Sequence, residues 1–127
     1  VEAWAAISRS LALVYANGGG SPAIADSARM AAERTKRLDP NGALGYKAMA
    51  SYLRLVKGDA EGARAAFEAT LRLDPNDVSA LGNMGLLESQ SFGRHAEALQ
   101  YFERRQALDP RSAQSWTAKV QAFLNLG

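Results

Sequence analysis

The sequence contains no cysteine. Disulfides and thiolate metal sites are therefore excluded. Histidine occurs once, as His95, and one imidazole without a second His or Cys cannot assemble a zinc ligand set. No apolar run approaches the roughly 18 residues of a membrane span, and no secretory leader pattern is present. Insertion into a membrane is not expected, and the lean is to a cytoplasmic location. Lys and Arg number 15 against 13 Asp and Glu, for a net charge of +2. They form no basic run of the kind that tracks phosphates, so nucleic acid is not an expected partner. Period-two alternation over strand length is missing too, and no sheet is expected. The chain begins without Met and stops at Gly127 with no polar tail; we read it as a segment of a longer or processed protein.

Proline is scarce, and its placement organises what is present. Three of the four prolines close the tripeptides Leu38-Asp39-Pro40, Leu73-Asp74-Pro75 and Leu108-Asp109-Pro110, spaced 35 residues apart. Proline lacks the N–H a helix needs and drives the preceding residue out of the α region. A period between 20 and 50 residues marks a stacked-repeat architecture. The chain therefore reads as helical hairpins ended at regular stops, in units of about 1–42, 43–77 and 78–112 with a terminal half-unit 113–127, together forming one domain.

Seven helices are expected. The first covers 2–16 with an apolar stripe of Trp4, Ile7, Leu11 and Val14, and Asn17-Gly18-Gly19-Gly20 breaks it. Those glycines read as a surface loop; a phosphate-binding loop would need a preceding strand and a following Lys-Ser/Thr, and neither is present. Ser21 and Pro22 start the second helix as N-cap and first helical residue. The third spans about 42–57, capped by Asn41, with Tyr46, Met49, Leu53 and Val56 on one face. Gly58 turns the chain and Asp59 caps the fourth helix, which carries Ala63, Phe67, Thr70 and Leu71. The fifth follows Asp77 with Leu81, Met84, Leu87 and Phe92, and Gly93 turns into the sixth, with Ala98, Leu99 and Phe102. Ser112 caps the seventh, bearing Trp116, Val120, Phe123 and Leu124.

These units resemble tetratricopeptide repeats. The central unit carries Tyr46, Met49-Ala50, Leu53, Gly58, Ala63, Phe67 and Pro75; the next carries Leu81, Met84-Gly85, Gly93, Ala98, Phe102 and Pro110. The first fits more loosely through Trp4, Ile7-Ser8, Leu11, Ala28, Ala32 and Pro40, and Trp116, Val120 and Phe123 match the first helix of a fourth unit. Small residues let two helices approach, and the large ones fill the gap to the neighbour. The period exceeds the usual 34 by one, and the extra residue falls late in the first helix of each unit. Glu88 stands where an aromatic is usual, and Thr35, Thr70 and Arg105 where Ala is usual, which suggests solvated or looser packing there. The resemblance implies an all-α, right-handed superhelix of antiparallel helix-turn-helix repeats. The Ala- and Arg-rich composition is similar to repeat regions of large bacterial multidomain proteins.

Catalysis needs a converging nucleophile, base and charge holder. His95, in a turn, shows no partner for that role, and the carboxylates Asp26, Glu33, Glu61, Glu68 and Glu103 read as helix-surface charges. A non-enzyme without metal or cofactor is expected. The resemblance implies instead a concave groove lined by first helices. Its facing residues would be Ala5, Ala6, Arg9, Lys47, Ala48, Ser51 and Arg54, then Gly82, Asn83, Leu86 and Gln90, then Gln114, Ala118 and Gln121. Of the five Lys, Asn and Arg positions with which related repeats clamp a terminal carboxylate, Lys47 and Asn83 fit while Ser51, Gln114 and Ala118 do not, so that clamp is rejected.

The expected function is a protein–protein interaction scaffold holding an extended or helical, acidic segment of a partner. The alternative is a structural or self-assembling spacer within a larger, bacterial signalling protein. The last helix poses its own question: its stripe either packs on the sixth helix as a cap, leaving Lys119 outside, or stays exposed and supports homo-association through Trp116, Val120 and Phe123.

Overall fold

A computed structural model of the protein describes residues 1–126. Seven α-helices follow in chain order: α1 (Glu2–Val14), α2 (Pro22–Leu38), α3 (Ala43–Tyr52), α4 (Ala60–Leu73), α5 (Val78–Leu86), α6 (His95–Leu108) and α7 (Ala113–Leu124). No strand occurs among the described residues. The helices divide into two compact units, Val1–Leu73 and Asp74–Gly127. In the first unit, α1 packs on α2, α2 and α1 on α3, and α3 on α4; in the second, α5 packs on α6 and α6 on α7.

The three proline stops repeat one geometry. Asp39 and Asp109 leave the helical region at φ/ψ of −141/72° and −139/71°, as a residue before proline must. Behind each stop, a backbone N–H donates three residues back across a tight turn: Gly42 to the Asp39 carbonyl, Asp77 to Asp74 and Ser112 to Asp109, each at 3.2 Å. Each proline carbonyl then accepts a side-chain donor: Lys36 Nζ on Pro40 at 2.6 Å, Arg104 Nη2 on Pro75 at 3.3 Å and Trp116 Nε1 on Pro110 at 2.9 Å.

Side-chain caps start four helices. Ser21 accepts from the Ile24 N–H, Asp59 from Gly62, Asp77 from Ala80 and Ser112 from Ser115, each satisfying an amide that the helix itself leaves without an acceptor. Asn41 does not cap α3. Gly42 holds that position with no side-chain bond, because the Asp39 carboxylate lies where a side chain at 42 would have to be.

Each odd-numbered helix of the first three hairpins ends in a widened π turn: Tyr15–Gly19, Leu53–Lys57 and Leu87–Ser91. A five-residue-back bond encloses one residue more than an α turn, so these turns fall where the extra residue of the 35-residue period was expected. Gly58 and Gly93 then adopt φ of +71° and +64°, a left-handed conformation that glycine takes without steric cost.

Small residues dominate the interior. Ala12, Ala28, Ala32, Ala50, Ala63, Ala80 and Ala98 are fully buried, with Phe67, Leu81 and Met84 as the large side chains among them. Gly85 is a close approach between α5 and α6, where an added Cβ would collide with the Phe102 ring. Thr35 and Thr70 are fully buried rather than solvated; their hydroxyls donate to the Ala31 and Ala66 carbonyls at 2.8 and 2.9 Å, one turn back in their own helices. Glu88 is also interior, with its side chain 1% exposed, and its carboxylate pairs with Arg94 Nε at 3.2 Å. In α1 the buried positions are Ser8 and Ala12, while Ile7 and Val14 are exposed. The face of α1 that meets α2 and α3 is turned about one residue from the expected stripe.

This packing sets two stability expectations. Phe67 is 0% exposed, whereas Trp4 is half-buried with Arg34 over its ring at 5.1 Å. Phe67→Ala should cost ~3–5 kcal/mol and Trp4→Ala less; a thermal melt with the reverse order contradicts the packing described. Arg94→Ala should cost about 1–3 kcal/mol by leaving the Glu88 carboxylate without that cation, and adding Glu88→Leu should recover most of the loss, because replacing both members of a buried pair by apolar groups is often neutral. An unchanged denaturation midpoint in the single variant would show that the pair contributes nothing.

Candidate functional site

The second unit contains a trough of about 650 Å³. Its floor is α6, which supplies Phe102 and Arg105, and its walls come from α5 with its π turn and from α7. Phe102, Ala98 and Ala122 form the buried cluster beneath it, with Leu86, Leu99 and Ala118 packed against them. The lining is apolar in the middle and amide-rich around it: Gln90 and Gln114 on opposite walls, Gln121 and Asn125 toward the end of α7.

Five of the residues named from sequence meet here, namely Leu86, Gln90, Gln114, Ala118 and Gln121. Asn83 is half-buried outside the lining, and its Nδ2 donates to the Ser79 carbonyl at 2.9 Å. Gly82 is buried, with the Arg105 guanidinium against it where a side chain would project.

In the first unit, Arg9, Lys47 and Ser51 line a shallow depression of about 30 Å³ with Ala5, Leu44 and Ala48. No acidic side chain lines it. Arg54, on the π turn after α3, is outside it; burial lowers the pKa of its guanidinium, which nevertheless stays charged at neutral pH.

Arg105 was noted from sequence only as a departure from the repeat, not as a residue of the site. It is the single charged residue lining the trough, and its Nη2 donates to Gln114 Oε1 at 3.3 Å. The signal was present in the repeat itself: Thr35, Thr70 and Arg105 share one register position, and the two threonines close on their own helices while the arginine reaches across to α7. His95 also differs from expectation. It begins α6, is half-buried, and its Nδ1 lies 3.0 Å from Ser89 Oγ, joining the end of the α5 π turn to the start of α6. Among the described residues no three His, Cys, Asp or Glu side chains gather as a metal site, and no helix is long and apolar enough to cross a membrane.

The seventh helix does not lay its apolar stripe on α6. Trp116, Val120 and Phe123 are 51%, 53% and 66% exposed, and α7 buries Ser115 and Ala122 instead. Lys119 Nζ lies 5.7 Å over the Trp116 ring. Thirty-five residues before Trp116, Val120 and Phe123 stand Leu81 and Gly85 of α5 and Glu88 of its π turn, all buried, and Gly85 meets Phe102 of α6. The exposed face of α7 is thus the one on which a hairpin partner would pack.

No protein-family model matches the chain, and no curated protein matches it. Solved structures do. The first tetratricopeptide-repeat domain of the human RPAP3 protein aligns with a TM-score of 0.74 at 17% identity, over 96% of this chain and 91% of that one. The MamA protein aligns at 0.72 and 19% identity, over 94% of this chain and 62% of its own. The second such domain of human RPAP3, solved with the HSP70 peptide SGPTIEEVD, aligns at 0.69 and 20% identity, over 96% and 97%. The fold of this chain is the all-α tetratricopeptide-repeat fold.

Proposed function

We propose that the chain is a protein-interaction scaffold and that the trough of its second unit receives an extended segment of a partner protein. The observation that carries this is the composition of the trough: an apolar centre of Leu86, Phe102 and Ala118 bordered by Gln90, Gln114 and Gln121. Apolar side chains anchor a ligand, and amides, which both donate and accept, suit the polar backbone of an extended chain. The RPAP3 domain solved with the HSP70 peptide has the same fold, which supports a peptide ligand for this one. Arg9, Lys47 and Ser51 line the separate depression of the first unit; their charge would favour an acidic segment there, and that binding should weaken as salt rises. Arg54 and Asn83 would have secondary parts, given where they lie.

Ala118→Trp tests the trough. The substitution fills the apolar centre from a half-buried position, so the melt should change little. Selection of random heptapeptides on the wild-type protein should give an enriched set, and the variant should lose it. Enrichment that is equal on both proteins removes the trough as the binding site.

A second reading rests on the bare face of α7. A second copy of the chain would cover Trp116, Val120 and Phe123 through the self-complementary contact of a two-fold dimer. Sedimentation over a hundredfold concentration range should then show a dimer that Val120→Asp abolishes. A monomer throughout rules self-association out and leaves the peptide reading standing.

A further inference from the structure

The trough is polar in one direction, and that direction specifies a ligand. At one end, Arg105 bonds Gln114 near the start of α7 and sits against Gly82, midway along α5. One turn along, Phe102 lies against Gly85. At the other end are Ser89, Gln121 and Asn125, all uncharged. The guanidinium has a defined place: Gly82 leaves room for it, and Nη2 donates to Gln114 Oε1 at 3.3 Å. Its Nε is buried and has no hydrogen-bond partner among the described residues. A buried donor of a charged group without an acceptor is costly, and no Asp or Glu lines the trough to supply one.

We infer that Arg105 is the specificity-determining residue of this site and that it selects an Asp or Glu side chain in the bound segment. This rests on the peptide reading above and names the chemistry of the peptide. A carboxylate is the acceptor that best matches a guanidinium, and Nη2, at the exposed Arg105–Gln114 contact, is the atom within its reach. The commitment is to a side-chain carboxylate because Arg105 projects from α6, the floor of the trough, while the amides of Gln90 and Gln114 belong to its walls. A side chain reaches that floor while the ligand backbone stays at the amides; a chain terminus would have to leave them. Spacing follows from the helix. Gln114 to Asn125 is ~16 Å along α7 at 1.5 Å per residue, about five residues of extended chain. Acid at the Arg105 end and a large apolar side chain over Phe102 therefore lie about two residues apart in the ligand.

The test uses the full chain and two heptapeptide libraries, one flanked by Gly-Ser sequence on both sides and one ending in a free carboxylate. The flanked library should yield peptides with Asp or Glu followed, or preceded, about two residues away by Leu, Ile, Met or Phe. An amide-capped peptide from that set should lose roughly tenfold or more in affinity when its acid becomes Gln or Asn. That loss should vanish on Arg105→Gln and persist in part on Arg105→Lys, which keeps charge without the fork. If Arg105→Gln fails to fold, the peptide-side substitution on wild-type protein still decides. Peptides that bind with no preference for acid overturn the inference and leave the scaffold reading intact. Enrichment confined to the free-carboxylate library overturns the side-chain commitment. No enrichment from either library removes both readings.

Discussion

The contact on which the second unit depends is a missing side chain facing a large one. Gly85 has no Cβ, and the Phe102 ring occupies that space. Helix axes come together only as far as the side chains between them permit, so one glycine sets how near α6 approaches α5. Fully buried alanines act similarly in the first unit, with Ala12, Ala28, Ala32, Ala50 and Ala63 at helix contacts and Phe67 filling what they leave. Close packing of this kind tolerates little change of volume. It also places α6 as the floor between α5 and α7, and so creates the trough.

Much of this architecture was legible in the residues. The proline stops, the Ser21, Asp59, Asp77 and Ser112 caps and the turns at Gly58 and Gly93 are local devices, decided by a few adjacent residues, and each has its expected role. What failed was nonlocal. Periodicity locates an apolar stripe on a helix but does not say whether a neighbour covers it. Ile7 and Val14 on α1, and Trp116, Val120 and Phe123 on α7, obey the pattern and remain exposed. The N-cap of α3 fell one residue later than expected, at Gly42, where the Asp39 carboxylate takes the space of a side chain. Glu88 was flagged as a departure, yet its burial and its pairing with Arg94 across the turn could not be read from either residue alone.

The site follows the same division. Leu86, Gln90, Gln114 and Gln121 were named from their register and do come together in the trough. Arg105 was visible as an exception to the repeat, but its direction depends on Gly82 and Gln114, which lie on two other helices. A repeat architecture makes such exceptions informative. Where Thr35 and Thr70 satisfy themselves within their own helices, the third unit directs a charge toward a place a ligand could occupy.

The central claim, that the inner face of the α5–α6–α7 unit and not the outer face of α7 engages a partner, is tested most directly by backbone-amide NMR. A heptapeptide selected on the protein would be titrated into the isotope-labelled chain. The account predicts shifts concentrated at Leu86, Gln90, Gln114 and Gln121 together with the Arg105 side-chain Nε–H, and a Trp116 indole resonance that does not move. Shifts centred on Trp116, Val120 and Phe123, with Arg105 unperturbed, would contradict it.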